Sequence, residues 1–195
     1  MTKSPTVLVA SDDAFELATL SAALRMQSIN VVAEAHTEEI AQNLYKFLSP
    51  EVVLIDLQFA GEEALDLVNK FRKVNPLLGI VIMTACPDLR LLGLLEKQIP
   101  TGSQVILKKS VADLSVVSHA ITNSVEAVAE KKKMSWIDSH GSLHKNAFKS
   151  VLTDFTDIQI ETLRLVAQGL SNSEIARVRF VSEKSVEQIV ARIAQ

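Results

Sequence analysis

Five short runs of aliphatic and β-branched residues, each followed by a stretch with helical spacing, fill the first 130 residues of the chain. The runs are 6–10, 30–35, 52–57, 79–85 and 103–107. After them apolar residues recur at helical intervals: Leu17, Leu20 and Leu24; Ile40, Leu44 and Phe47; Ala64, Leu65, Val68 and Phe71; the stretch 89–96; and a longer stretch from Val111 to Glu130. Strands apolar along their whole length must be covered on both faces, and parallel neighbours need crossovers long enough to hold a helix. The alternation therefore predicts an α/β domain, a doubly wound five-stranded parallel sheet with helices on both sides. With 48% hydrophobic and 22% charged residues the chain can bury such a core, which excludes collagen-like and wholly disordered readings. Sheets of this type hold their ligands beyond the carboxyl ends of the strands, where strand order reverses. That rule directs attention to Ser11, Asp12 and Asp13 after the first run, Asp56 at the third, Thr84 at the fourth and Lys108 after the fifth.

The rest of the chain is organised differently. Residues 131–150 combine Lys131, Lys132 and Lys133 with Trp136, His140, Gly141 and His144, lack apolar periodicity, and read as a linker. Three helical segments follow. Thr156 with Gln159, and Ser171 with Glu174, have capping-box spacing; Gly169 closes the first segment and Ser182 precedes the third. The second and third segments, joined by Phe180, Val181 and Ser182, have helix-turn-helix proportions. The expected division is 1–130, a linker over 131–150, and a small all-α domain over 151–195. Charge follows it: residues 1–130 carry 10 Lys/Arg and 16 Asp/Glu, residues 131–195 carry 10 and 7. An acidic front half suits cation or phosphate chemistry and a mildly basic rear half suits a polyanion, with uneven solvated surfaces as the plain alternative. The one cysteine, Cys86, cannot form an internal disulfide, and no Cys/His set has zinc spacing; His140 and His144 read as surface residues. No apolar stretch is long enough to cross a membrane, so a cytoplasmic protein is expected.

Carboxylates gathered at strand ends repel one another unless a cation sits among them. Magnesium suits such a place, because it is a hard ion that takes one or two carboxylates and keeps several waters. A carboxylate can also attack phosphorus and form an acyl phosphate. Asp56 is the expected nucleophile, with the Thr84 hydroxyl and the Lys108 ammonium binding the phosphoryl oxygens. For Asp13 a helix N-cap role is the alternative.

These residues resemble a known family. Val-Leu-Val-Ala-Ser-Asp-Asp (7–13), Val-Val-Leu-Ile-Asp-Leu (52–57), Ile-Met-Thr-Ala (82–85) and Ile-Leu-Lys (106–108) are similar to the flavodoxin-like receiver domain of two-component response regulators. The resemblance implies a phosphoprotein and not an enzyme. Asp56 would be the phosphoacceptor, supplied by a sensor histidine kinase. Asp12, Asp13, Asp56 and the backbone of Gln58 would hold Mg²⁺, and Thr84 and Lys108 would transmit the phosphorylated state. The chain departs from the pattern in places. The loop from Leu57 to Gly61 is short and lacks the customary proline, Val105 stands where an aromatic switch residue is expected, Lys109 replaces a frequent proline, and Pro100, Thr101 and Gly102 break the fourth crossover.

The run from Phe155 to Ala176, with Gly-Leu-Ser-Asn-Ser-Glu-Ile-Ala (169–176) as its most specific part, and Val181 to Val186 resemble the LuxR/FixJ-type helix-turn-helix of the same regulators. Leu163, Val166, Ile175, Ala176, Val186 and Ile189 or Val190 can form one small core that presents the last helix to a major groove. The resemblance implies transcription control through promoter DNA, with Arg177, Arg179, Ser182, Lys184, Ser185, Gln188 and Arg192 as candidate contacts and a homodimer as a possible assembly. Glu187 stands where the family usually has a lysine and Ile189 where a histidine is common, and residues 151–195 hold five Lys/Arg against six Asp/Glu. These departures leave open an alternative reading: an atypical, phosphorylation-independent receiver acting as a protein-interaction module with a degenerate helix-turn-helix. The chain reaches Gln195 about where the family's third helix ends, so the fourth helix that supports dimerisation is expected to be missing.

Overall fold

The computed structural model describes residues 4–59, 64–137 and 154–193. The chain divides into two compact units, one built from the chain up to Ala85 together with the stretch that starts at Ile99, the other from Cys86–Gln98 and the C-terminal helices.

The first unit is a parallel sheet with strand order β2-β1-β3-β4-β5-β6. Its strands are β1 (Thr6–Ala10), β2 (Asn30–Ala35), β3 (Val52–Asp56), β4 (Gly79–Thr84), β5 (Gln104–Leu107) and β6 (Ser135–Ile137). β3 and β4 are buried at every residue, as strands covered on both faces must be. Val9, Leu54, Met83 and Ile106 turn to one face and pack with Leu20 and Leu24 of α1 (Ala14–Met26) and with Val117 and Ile121 of α4 (Leu114–Ala129). On α2 (Glu38–Leu48) and α3 (Ala64–Val74), Tyr45 stacks on Phe71 with ring centroids 4.0 Å apart. The Tyr45 hydroxyl donates to the Phe71 carbonyl at 3.2 Å, so its polar tip is satisfied where the ring is buried.

Two expectations are corrected. The sheet has six strands, not five, because Ser135–Ile137, within the stretch read as a linker, pairs parallel to β5. Three residues are too few to show a period of two. Their pairing is anchored instead by the Ser135 N–H on the Ser103 carbonyl at 3.0 Å and the Ser135 hydroxyl on Gln104 Oε1 at 2.9 Å. Trp136, part of the stretch read as a linker, lies opposite Val105 in this strand. The second correction concerns 89–96, which does not form an α-helix. One 3₁₀ turn, Leu89–Leu92, stops at Gly93, whose φ of 75° is left-handed, and a second spans Glu96–Gln98. The predicted His140 and His144 lie outside the described residues.

The second unit contains α5 (Asp157–Ala167), α6 (Asn172–Arg179) and α7 (Glu183–Ile193). Thr156 with Gln159 and Ser171 with Glu174 form reciprocal capping boxes, as their spacing predicts. Leu165, Ile175, Ala176 and Val186 form the core, with Leu170 and Val190 against it. Leu163 is only half-buried and Val166 is 40% exposed, so the buried face of α5 runs through Ile160 and Leu165 and not through those two residues. The 3₁₀ turn is joined to this unit by Arg90, which donates to the Phe155 carbonyl at 2.9 Å and to Asp157 Oδ1 at 3.0 Å. Asp88 holds the same guanidinium from Nε (3.0 Å) and Nη2 (2.8 Å). Burial works to raise the Asp88 pKa, but the hydrogen bonds and charge of Arg90 outweigh it, and the carboxyl titrates below its ordinary range. A depressed folded pKa means that Asp88 stabilises the segment above the unfolded carboxylate value, about 3.9, and that this contribution disappears as pH falls through the folded value. Hydrogen exchange, corrected for intrinsic rate, is expected to show the Leu91 and Gly93 amides losing protection in acid below about pH 4, and Asp88→Asn is expected to abolish that pH dependence. Protection that ignores pH in the unaltered chain contradicts this role for Asp88.

Candidate phosphoryl-acceptor site and helix-turn-helix

The sheet register brings Asp56, Thr84 and Lys108 to one edge of the sheet. Asp56 pairs with Met83, and Met83 with Ile106, so Thr84 and Leu107 stand one residue beyond that level and Lys108 begins the next turn. Ala10 pairs with Ile55, which releases the chain from β1 at the level of Asp56 and sets Ser11, Asp12 and Asp13 on the same edge of the sheet. Asp56 is 2% exposed and Thr84 1%. A carboxylate that buried needs partners. Lys108 Nζ lies 2.7 Å from Asp56 Oδ2, and the Gln58 N–H donates to Asp56 Oδ1 at 3.1 Å. Both oxygens of the expected nucleophile are therefore held, one by a cation and one by the backbone of the turn that follows β3.

The carboxylates of β1 are used differently. Asp13 takes its alternative role: Oδ1 accepts the N–H groups of Phe15 at 2.9 Å and Glu16 at 2.8 Å and caps α1. Asp12 is exposed. The second acidic group that meets Lys108, beside Asp56, is Glu16, which strand ends alone do not point to. Glu16 Oε2 accepts from Lys108 Nζ at 2.8 Å and from the hydroxyl of Ser11 at 2.9 Å. The available signal was the spacing of Asp13 and Glu16, which has capping-box form and places a glutamate in the first turn of α1. Burial works against the charge of Lys108, but the hydrogen bonds and charges of Asp56 and Glu16 more than offset it, and its pKa lies above the ordinary lysine value.

Magnesium requires hard oxygen donors and needs few of them from protein, since it keeps several waters. Asp12 and Asp56 supply such oxygens, and Asp13 retains one after capping α1. Among the described residues no group of three or more His, Cys, Asp or Glu is close enough to hold a metal ion. No closed protein cage is formed among the described residues, and an ion held here would take one or two of these oxygens and keep several waters. Gln58 is exposed in the turn after Asp56, its carbonyl being the further candidate donor.

In the second unit the predicted contacts separate into two groups. Arg177, Ser182, Lys184, Gln188 and Arg192 are exposed. Lys184, Gln188 and Arg192, spaced by four, form one stripe along α7. Ser182 caps that helix by accepting the Ser185 N–H at 3.2 Å, and the two hydroxyls lie 2.8 Å apart. Arg179 is turned inward: its side chain is 9% exposed, Nη1 donates to Thr162 Oγ1 at 2.7 Å, and Nε lies 3.3 Å from Glu161 Oε2. It ties α6 to α5 and is removed from the outward-facing set. Glu187 is exposed beside the stripe.

Residues 7–120 match the family described as response regulator receiver domain, and residues 153–195 match that of bacterial regulatory proteins of the luxR family. The nitrate/nitrite response regulator protein NarP of Escherichia coli is 29% identical over 162 residues, covering 80% of this chain and 71% of NarP. The transcriptional regulatory protein DesR of Bacillus subtilis is 22% identical over 190 residues, covering 97% of this chain and 88% of DesR. A cyclic di-GMP phosphodiesterase of Thermotoga maritima is 24% identical over 165 residues, and the chain spans only 43% of that protein. Among solved structures, RcsB of Salmonella enterica bound to promoter DNA in the presence of a phosphomimetic shares the fold with a TM-score of 0.60 at 21% identity, covering 95% of this chain and 87% of that one.

The pair of the buried Asp56 with Lys108 yields a test by double-mutant cycle. Lys108→Ala strands a buried carboxylate and is expected to cost about 1–3 kcal/mol in urea denaturation, and much less when Asp56→Asn is already present. Additive effects of the two substitutions contradict the pairing. With a receiver over most of its length and a LuxR-family DNA-binding domain after it, the chain belongs to the response regulators and has the make-up of a transcriptional regulator.

Proposed function

We propose that Asp56 accepts a phosphoryl group from a sensor histidine kinase and that this modification controls binding of the C-terminal helices to promoter DNA. The observation that carries the reading is the Asp56–Lys108 ion pair on the sheet rim, a buried carboxylate already facing the cation that a phosphoryl group would need. An Asp56 oxygen attacks phosphorus, the P–N bond of the donor phosphohistidine breaks, and the electron pair stays on the imidazole, which takes up a proton. Lys108 and the Thr84 hydroxyl offer charge and a hydrogen bond to the phosphoryl oxygens. Asp12, Asp56, the free oxygen of Asp13 and the Gln58 carbonyl would hold Mg²⁺, which when bound offsets negative charge on the phosphoryl group.

The modification adds a charge of about −1.5 to −2 at Asp56 and shifts a pre-existing arrangement by whatever difference in affinity Lys108 and Thr84 have for the two states. We assign the receiver role to residues 1–130 together with β6, the linking role to the rest of 131–150 and the DNA-binding role to 151–195, in a cytoplasmic protein that is a regulator and not an enzyme. Arg177, Lys184, Ser185, Gln188 and Arg192 are the proposed DNA contacts, with the Ser182 end of α7 against a phosphate. Because residues 151–195 carry slightly more acidic than basic side chains, the nonspecific electrostatic contribution is small and two copies on adjacent half-sites are needed for useful affinity.

With acetyl phosphate as donor, Asp56→Asn is expected to reduce phosphoryl labelling to background, and retained labelling removes the assignment. Fluorescence anisotropy on DNA from the chain's own upstream region is expected to show binding that strengthens with the donor and weakens with salt. Binding that ignores the donor removes the coupling.

A further inference from the structure

Lys108 serves two carboxylates. Its ammonium lies 2.7 Å from Asp56 Oδ2 and 2.8 Å from Glu16 Oε2. Glu16 is also held by Ser11, because the same Oε2 accepts the Ser11 hydroxyl at 2.9 Å, and Ser11 is fully buried. A glutamate at the third position of a helix commonly reaches back to the amide of the capping residue. Here that amide, on Asp13, donates to Ser11 Oγ at 3.3 Å, and Glu16 faces Lys108 instead. The amino end of α1 favours its negative charge.

We propose that Glu16 is a positioning residue which competes for Lys108 and holds back phosphoryl transfer to Asp56. The proposal rests on the reading of Asp56 as phosphoacceptor. An ammonium has three donors, and two are engaged before any phosphoryl group arrives. When acetyl phosphate reacts, an Asp56 oxygen bonds to phosphorus, the bond from phosphorus to the acetate oxygen breaks, and acetate leaves with the electron pair. The transferred group brings negative charge to a lysine whose field Glu16 already partly cancels, and Glu16 adds its own repulsion. Glutamine keeps the shape and can still accept from Ser11 and Lys108, but carries no charge.

The experiment is the rate of phosphorylation of the full chain by acetyl phosphate with Mg²⁺, read by mass spectrometry, for the unaltered protein, Glu16→Gln, Glu16→Asp and Asp56→Asn at low and high salt. Glu16→Gln is expected to react about tenfold faster at low salt, the size of one partly solvated charge interaction, and the advantage is expected to shrink as salt screens it. Glu16→Asp, which keeps the charge, is expected to stay near the unaltered rate; a purely structural role would slow both variants and respond little to salt. An unchanged or slower rate in Glu16→Gln, while Asp56→Asn takes no label, overturns the role of Glu16 alone. Label persisting in Asp56→Asn overturns the phosphoacceptor reading and this proposal with it.

Discussion

The ion pair between Asp56 and Lys108 is the constraint around which the receiver is arranged. A carboxylate with 2% exposure at the end of a central strand is costly without a counter-charge. The counter-charge has to come from the neighbouring strand ends, because the helices cover the faces of the sheet and leave only its rim open. Parallel pairing meets that need: equal register from β3 through β5 carries Asp56 and Lys108 to one edge although the sequence separates them by half the domain. Thr84, on the strand between them, reaches the same edge for the same reason. The chemistry of the rim is therefore a consequence of strand register more than of any local motif.

The C-terminal unit rests on a different economy. Among the described residues its core cluster is Leu165, Ile175, Ala176 and Val186 with two partly buried side chains against it, and much of its definition comes from reciprocal caps at Thr156 and Ser171 and from Arg179, which ties α6 to α5. Arg90 performs the same service for the turn at Leu89–Leu92. Arginine suits both places because its planar fork satisfies several acceptors at once. Where a small unit cannot bury much apolar surface, such polar ties decide which side chains remain free for a partner, and Arg179 is not among them.

Most of the sheet was legible because strands buried on both faces leave continuous Val, Ile and Leu runs, and the first five strands fall where those runs predict. β6 was not legible, since three residues including a serine and a tryptophan carry no period and are placed only by pairing with β5. The stretch 89–96 has helical apolar spacing, yet Gly93 in a left-handed conformation ends its first turn, and spacing alone says nothing of φ. At the rim, Asp56, Thr84 and Lys108 could be found from strand ends, whereas Glu16 could not: its role depends on Ser11 taking the Asp13 amide, a three-dimensional circumstance. Asp13 shows the converse, a residue whose sequence fits both a metal ligand and a helix cap and whose geometry fills the cap.

The most direct measurement is to treat the phosphorylated chain with borohydride, which reduces an aspartyl phosphate to homoserine, and to locate the altered residue by peptide mass spectrometry. A single homoserine at position 56, formed only after exposure to the phosphoryl donor, is the expected result. Homoserine at Asp12, Asp13 or any other aspartate, or none at all, would contradict Asp56 as the phosphoryl acceptor of this rim.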